Sequence, residues 1–291
     1  MTPTPFPHID KIARHLDAQQ SFGERPFVQT QDGGSFMSVA DRSLARRAAR
    51  CLMLAGALAA LLPCRPAAAG PRPYAFSQGA DSLSDGSVEL ESWFSAEKPR
   101  SGFAGWDWWL GPVAGLTDRI EAGLFAIFEQ PPVSGPGVTS SVALSSLRAH
   151  ASWLLADKGA WPVDVRLRAE YGQRVAPGTP NTGWFTAILS RDLGRLNVTA
   201  NLGGYLEMAD DETVPYFVGS LASTLELPAG FRLGGEIFSE KELKTGGETE
   251  VWAGPSLAYG RGRFWLAATF GFGLTDDASL HRGRILFGLT L

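Results

Sequence analysis

A two-residue hydrophobic period, returning again and again after residue 86, restricts this chain more than any other feature. Val163, Val165, Leu167, Ala169 and Tyr171 alternate with Asp164, Arg166, Arg168, Glu170 and Gly172. A helix would scatter these residues around its circumference, whereas a strand places the apolar set on one face and the polar set on the other. The pattern recurs at Leu196, Val198, Ala200, Leu202 and Leu206, at Phe264, Leu266, Ala268, Phe270 and Phe272, and at Ile285, Phe287, Leu289 and Leu291. About twelve strands are predicted, near 88–97, 104–115, 119–129, 142–155, 162–174, 183–192, 195–207, 216–227, 230–241, 249–259, 263–274 and 282–291. Most exceed the roughly 5 or 6 residues usual in soluble sheets and suit the roughly 9 to 11 with which a tilted strand crosses a bilayer.

The predicted connections alternate in length. Short ones fall at 115–118, 156–159, 192–194, 227–230 and 260–262, and long ones at 99–102, 130–141, 175–182, 208–215, 242–248 and 275–281. Even strand number, short turns at one end and long loops at the other describe an outer-membrane barrel. Closure follows from solvation, because an open edge in hydrocarbon would leave N–H and C=O groups unpaired at several kcal/mol each. The expected fold is therefore all-β: a transmembrane antiparallel β-barrel of about twelve strands, with a soluble sandwich as the competing reading. Trp106, Trp108, Trp109, Trp153, Trp161, Trp184, Trp252 and Trp265 mostly fall near predicted strand ends, where interfacial girdles form.

Upstream, a basic stretch (Arg42, Arg46, Arg47, Arg50) precedes an apolar run from Cys51 to Leu62, then Pro63 and Ala67, Ala68 and Ala69. This is the order of a cleavable signal peptide, and the run is well short of the roughly 20 residues of a membrane-spanning helix. The reading divides the chain into a non-native or disordered extension at 1–36, a signal peptide at 37–69 cleaved after Ala69, a flexible periplasmic lead at 70–86, and the barrel at 87–291. Translation from Met37 would account for the extension; the alternative is a short cytosolic segment with one amphipathic turn around Ile9 to Leu16. Both cysteines, Cys51 and Cys64, fall in the segment to be removed.

The stretch from Trp252, Ala253 and Gly254 through Phe272, Gly273, Leu274, Thr275 and Asp276 to His281, Arg282, Gly283 and Leu289 resembles a family of outer-membrane barrels. That family is described as transport proteins of the phenol meta-cleavage degradation pathway. The segment from Gly115, Leu116, Thr117 and Asp118 to Leu124 is similar to one of its hairpins. The resemblance implies location and architecture more than cargo. One departure is the final residue, Leu291, where outer-membrane barrels usually place Phe or Trp; Ile285, Phe287 and Leu289 keep the rest of the pattern read by the barrel-assembly machinery.

A formal net charge of −4 leaves no basic surplus for phosphate neutralisation, so no nucleic-acid partner is expected. Beyond residue 69 only His150 and His281 remain and no cysteine, so thiol catalysis is excluded and neither a metal site nor a cofactor is expected. Met208, Ala209, Asp210, Asp211 and Glu212 read as a solvated turn in preference to a calcium or lipopolysaccharide bridge. Alternation turns Glu89, Glu91, Asp107, Glu121, Arg148 and His150 to the inside. It does the same for Asp164, Arg166, Arg168, Glu170, Asn197 and Asn201, and for Glu207, Arg232, Glu236, Arg282 and Arg284. These are the candidate lumen residues. Arg166, Arg168, Arg232 and Arg284 either pair with Glu170, Glu236 and Glu121 and close the interior, or line a narrow aqueous path.

The expected function is a passive channel or uptake protein of the cell outer membrane, in contact with bilayer and lipopolysaccharide, for small molecules such as aromatic or small anionic solutes. A closed structural or surface-interaction barrel is the alternative. A lipid hydrolase using His150 ranks third, because its serine and imidazole would have to meet on the lipid side.

Overall fold

The structure is a computed structural model and describes residues 72–131 and 141–291. The extension, the signal peptide and its cleavage point lie outside the described residues. Twelve strands follow in chain order: β1 (Val88–Lys98), β2 (Gly105–Thr117), β3 (Ile120–Gln130), β4 (Ala143–Leu154), β5 (Asp164–Arg174), β6 (Asn181–Leu193), β7 (Leu196–Met208), β8 (Thr213–Glu226), β9 (Phe231–Glu242), β10 (Thr249–Arg261), β11 (Phe264–Gly273) and β12 (His281–Thr290). Each pairs antiparallel with its chain neighbours, and β1 pairs with β12 from Glu89 opposite Thr290 to Lys98 opposite His281, closing the barrel. Among the described residues the only helical element is a 3-10 turn, Pro228–Gly230, and no helix is long and apolar enough to cross a membrane. The strands make the crossing.

The side chains divide as alternation requires. Leu90, Phe94, Leu124, Phe185, Leu202, Leu221, Phe270 and Phe287 are exposed on the outer wall, while Glu89, Glu91, Arg166 and Arg168 are buried on the inner one. That inversion of a soluble core is what a bilayer selects, since hydrocarbon solvates the apolar face and the lumen must satisfy the polar one.

Two of the predicted connections need correction. The connection predicted at 208–215 shrinks to 209–212, because β8 starts at Thr213 and pairs it with Met208. The connection predicted at 156–159 extends to residue 163, with the Leu155 N–H bonded to the Val165 carbonyl. Lengths therefore do not alternate cleanly. The tryptophans also differ: Trp93, Trp109, Trp184, Trp252 and Trp265 turn inward, while Trp106, Trp108 and Trp153 face out. Girdle preference is weaker than parity here, since a Trp on the inner face finds Arg and Glu partners there.

The largest difference is the lead. Residues 72–87, expected as a periplasmic lead, cross the lumen and hydrogen-bond to its wall. The Tyr74 hydroxyl donates to Asn197 Oδ1 at 2.5 Å on β7, and the N–H groups of Ala75, Phe76 and Ser77 donate to Glu236 on β9 at 2.9, 3.0 and 2.6 Å. The Gln78 N–H reaches Asn201 at 2.6 Å, and the Leu83 N–H reaches Glu121 on β3 at 3.1 Å. The Gly86 N–H then joins the Gly115 carbonyl at 2.9 Å, leading into β1. Irregular backbone is tolerated at membrane depth only where protein satisfies it, and the wall's carboxylates and amides do so here.

Candidate functional site: the barrel lumen

Three layers of inward side chains lie between the short-turn end and the long-loop end. At the turn end the lead is clamped. Glu121 accepts from Arg166 and lies 3.5 Å from Arg72, whose Nη2 donates to Glu91 at 2.5 Å. Burial opposes the Arg72 charge, but Glu91 and Glu121 outweigh it and hold the guanidinium protonated above its usual range; burial pushes the Tyr74 phenol up as well. Glu91 also accepts from Trp93 Nε1 at 2.8 Å, and Glu89 from Trp265 Nε1 at 2.8 Å. Asp164 accepts from the Gly159 N–H at 2.6 Å, and Arg232 pairs with Glu226 at 3.0 Å.

The middle layer is cationic and aromatic. Arg168 Nε donates to Glu170 at 2.7 Å, and Arg148 Nη1 lies 3.7 Å from the other oxygen of the same carboxylate. The Arg148 guanidinium sits 4.3 Å from the Trp109 ring and 5.4 Å from Trp184. Trp184, Tyr205 and Tyr216 stand opposite one another on β6, β7 and β8 and stack at 3.9 and 4.4 Å. His150 stacks on Phe125 at 5.7 Å, over Gly123, where any Cβ would meet its ring at 2.3 Å.

The loop-end layer is acidic. Asp107, Glu129, Glu207, Glu240 and Glu250 lie on the inward face near the loop ends of their strands, with Arg282 3.9 Å from Glu97. Tyr205 donates to Glu240 at 2.7 Å. Arg284 donates to Ser95 at 2.9 Å and lies 4.7 Å from the Phe76 ring of the lead. Outside the strands, Asp210 pairs with Arg174 at 2.5 Å, and that bond holds its carboxyl below the usual range.

Of the anticipated pairings, Arg166 with Glu121 and Arg168 with Glu170 form, whereas Glu236 and Arg232 do not meet. The three N–H groups of the lead occupy Glu236, with Thr269, and leave Arg232 to its turn-end neighbour. The inward aromatics are absent from the sequence-derived candidates, although parity with Asp107 and Glu207 marks Trp109 and Tyr205. For hydrolysis the geometry is unhelpful: neither ring nitrogen of His150 has a hydrogen-bond partner among the described residues, and Ser152 is taken by Arg166 at 2.9 Å.

No protein-family model matches the chain, and no curated protein matches it. Solved structures do. The COG4313 outer membrane channel from Pseudomonas putida F1 superposes with a TM-score of 0.57 at 10% identity, over 73% of this chain and 98% of that one. The NanC porin superposes with a TM-score of 0.51 at 10% identity, over 70% of this chain and 100% of the porin. The fold is that of an outer-membrane barrel. At these identities the likeness is one of architecture, and with the apolar outer wall it places the chain in the outer membrane.

Proposed function

We propose that this barrel is a passive channel or uptake protein for small molecules, with aromatic and small anionic solutes as the cargo its interior suits. The observation that carries the reading is the lead: it crosses the lumen largely through polar contacts, which water can replace, and beside it lies a small cavity lined in part by Trp93, Glu121, Arg284 and Leu286. A plug held this way can exchange its partners for water, since a hydrogen bond is worth far less net in water than in isolation. Inward Trp109, Trp184 and Tyr205 beside the Arg148 guanidinium suit aromatic and small anionic solutes. The same lead favours one second reading, a barrel that stays closed and serves a structural role.

Planar-bilayer recording separates them. Discrete current steps that grow in Glu236→Ala support the channel; silence from both proteins, each shown folded by its heat-modifiable gel band, supports the closed barrel. We infer no catalytic role, and absence of fatty-acid release from phospholipid by the parent protein is the expected result. The outward pattern Ile285, Phe287 and Leu289 supports recognition by the assembly machinery, and contact with bilayer and lipopolysaccharide goes with the outer-membrane reading.

A further inference from the structure

We propose that Arg148 and Arg168, walled by Trp93, Trp109 and Trp184, form a binding site for an aromatic carboxylate inside the barrel. The inference names the solute class for the channel reading and rests on that reading for its purpose, although binding itself is measurable without transport.

The argument starts from hydrogen-bond accounting. Arg168 is 1% exposed and Arg148 9%. One carboxylate, Glu170, serves both guanidinia, and Arg148 Nη2 has Thr182 Oγ1 at 3.3 Å. Arg148 Nε, both terminal nitrogens of Arg168 and the indole N–H of Trp184 are left without an acceptor, both ring nitrogens of His150 are unpartnered, and the single carboxylate among them keeps one oxygen, Glu170 Oε2, without a hydrogen bond, 3.7 Å from Arg148 Nη1. Buried donors are almost always satisfied, and charged ones left unsatisfied are the costliest of all. Several such donors on the adjacent strands β4, β5 and β6 describe a place whose acceptor comes from outside the chain.

The geometry of the donors selects the acceptor. The two terminal nitrogens of a guanidinium match the two oxygens of one carboxylate in parallel, a fit that a single hydroxyl cannot reproduce. The walls select the rest of the molecule. Trp93 and Trp109 stack at 5.2 Å, Phe125 lies 4.9 Å from Trp93, and the Arg168 guanidinium stands 5.8 Å from the Trp93 ring. Trp93 also lines the cavity beside the lead, so the apolar wall runs from that space to the guanidinium. A ring entering along Trp93 would bring its carboxylate toward Arg168.

The test uses the folded full-length protein in detergent, with benzoate as probe, benzyl alcohol as its neutral counterpart and nitrate as a small planar anion. Tryptophan fluorescence and calorimetry should show saturable benzoate binding, with benzyl alcohol and nitrate at least tenfold weaker. Arg168→Gln should weaken benzoate at least tenfold. Arg168→Lys, which keeps the charge but not the fork, should fall between that variant and the parent and serves where Arg168→Gln does not fold. No saturable response to benzoate, equal affinity for benzyl alcohol or nitrate, or unchanged affinity in both variants would overturn the site. Conductance of the same preparations keeps the two readings apart: a conducting barrel that ignores benzoate removes the site alone, and a silent barrel that binds it removes the channel alone.

Discussion

Glu121 shows how much of the interior one carboxylate organises: it accepts from Arg166 and from the Leu83 N–H of the lead at 3.1 Å, and it lies 3.5 Å from Arg72. Truncating one partner of a buried pair leaves the other charge uncompensated, at about 3–5 kcal/mol. Glu121→Ala should lose stability of that order, read as a lower denaturant midpoint in detergent; a loss below about 1 kcal/mol would mean that water replaces the carboxylate. Gly111 is a second sensitive position, since a Cβ there would stand 1.8 Å from the Leu124 carbonyl oxygen of the facing strand. Backbone cannot yield as a side chain does, so Gly111→Ala should fail to give the heat-modifiable folded form. At this scale the direction of each charged side chain was legible, because parity alone sets it. Parity marks the inward tryptophans equally, but the preference of Trp for interfaces points the other way, and that preference is a statistical statement about barrels which says nothing of what faces a particular residue across the lumen.

Strands carried strong signals, and all twelve lie where alternation placed them, with shifts at their ends set by the partner strand. The lead carried none. Its Gly, Ser and Asp content fits a solvated tail as well as an ordered plug, and only the wall decides between them by supplying Asn197, Asn201 and Glu236 as partners. Removing the Glu236 carboxylate should free the middle of this segment. A cysteine at Ser77, buried in the parent, should react with maleimide at least tenfold faster in a Glu236→Ala background, and an unchanged rate would show that the clamp lies elsewhere. Nearer the turn end, Lys158 joins the lead through Asp81 at 2.5 Å and meets Asp192 at 3.0 Å. Burial alone would lower the pKa of this ammonium, but the two carboxylates outweigh burial and raise it. A group whose folded pKa is raised stabilises fully below its unfolded value and loses that contribution as pH climbs through the folded one. This tie should therefore hold through neutral pH and slacken only above about pH 10.5. The pair is half exposed, so the effect should be small; lead accessibility that rises already near pH 8 would contradict the assignment.

For the molecule as a whole, the wall and the lumen answer to different solvents. Leu202 sits midway along β7 on the outer face. Leu202→Arg should cost about 2–4 kcal/mol, the depth-dependent penalty for a charge facing hydrocarbon near the bilayer midplane. Reversible unfolding in lipid vesicles reads this directly, and a neutral result would mean that the apolar face meets something other than lipid. The lead also ties distant parts of the ring: it contacts Glu121 and Arg166 on β3 and β5, and Glu236 and Thr199 on β9 and β7. A segment bonded to both halves has to be laid down before the β1–β12 seam zips shut, or be threaded in afterwards through a ring already sealed. On the first route the N-terminal thread is a mandrel around which the cylinder is wound.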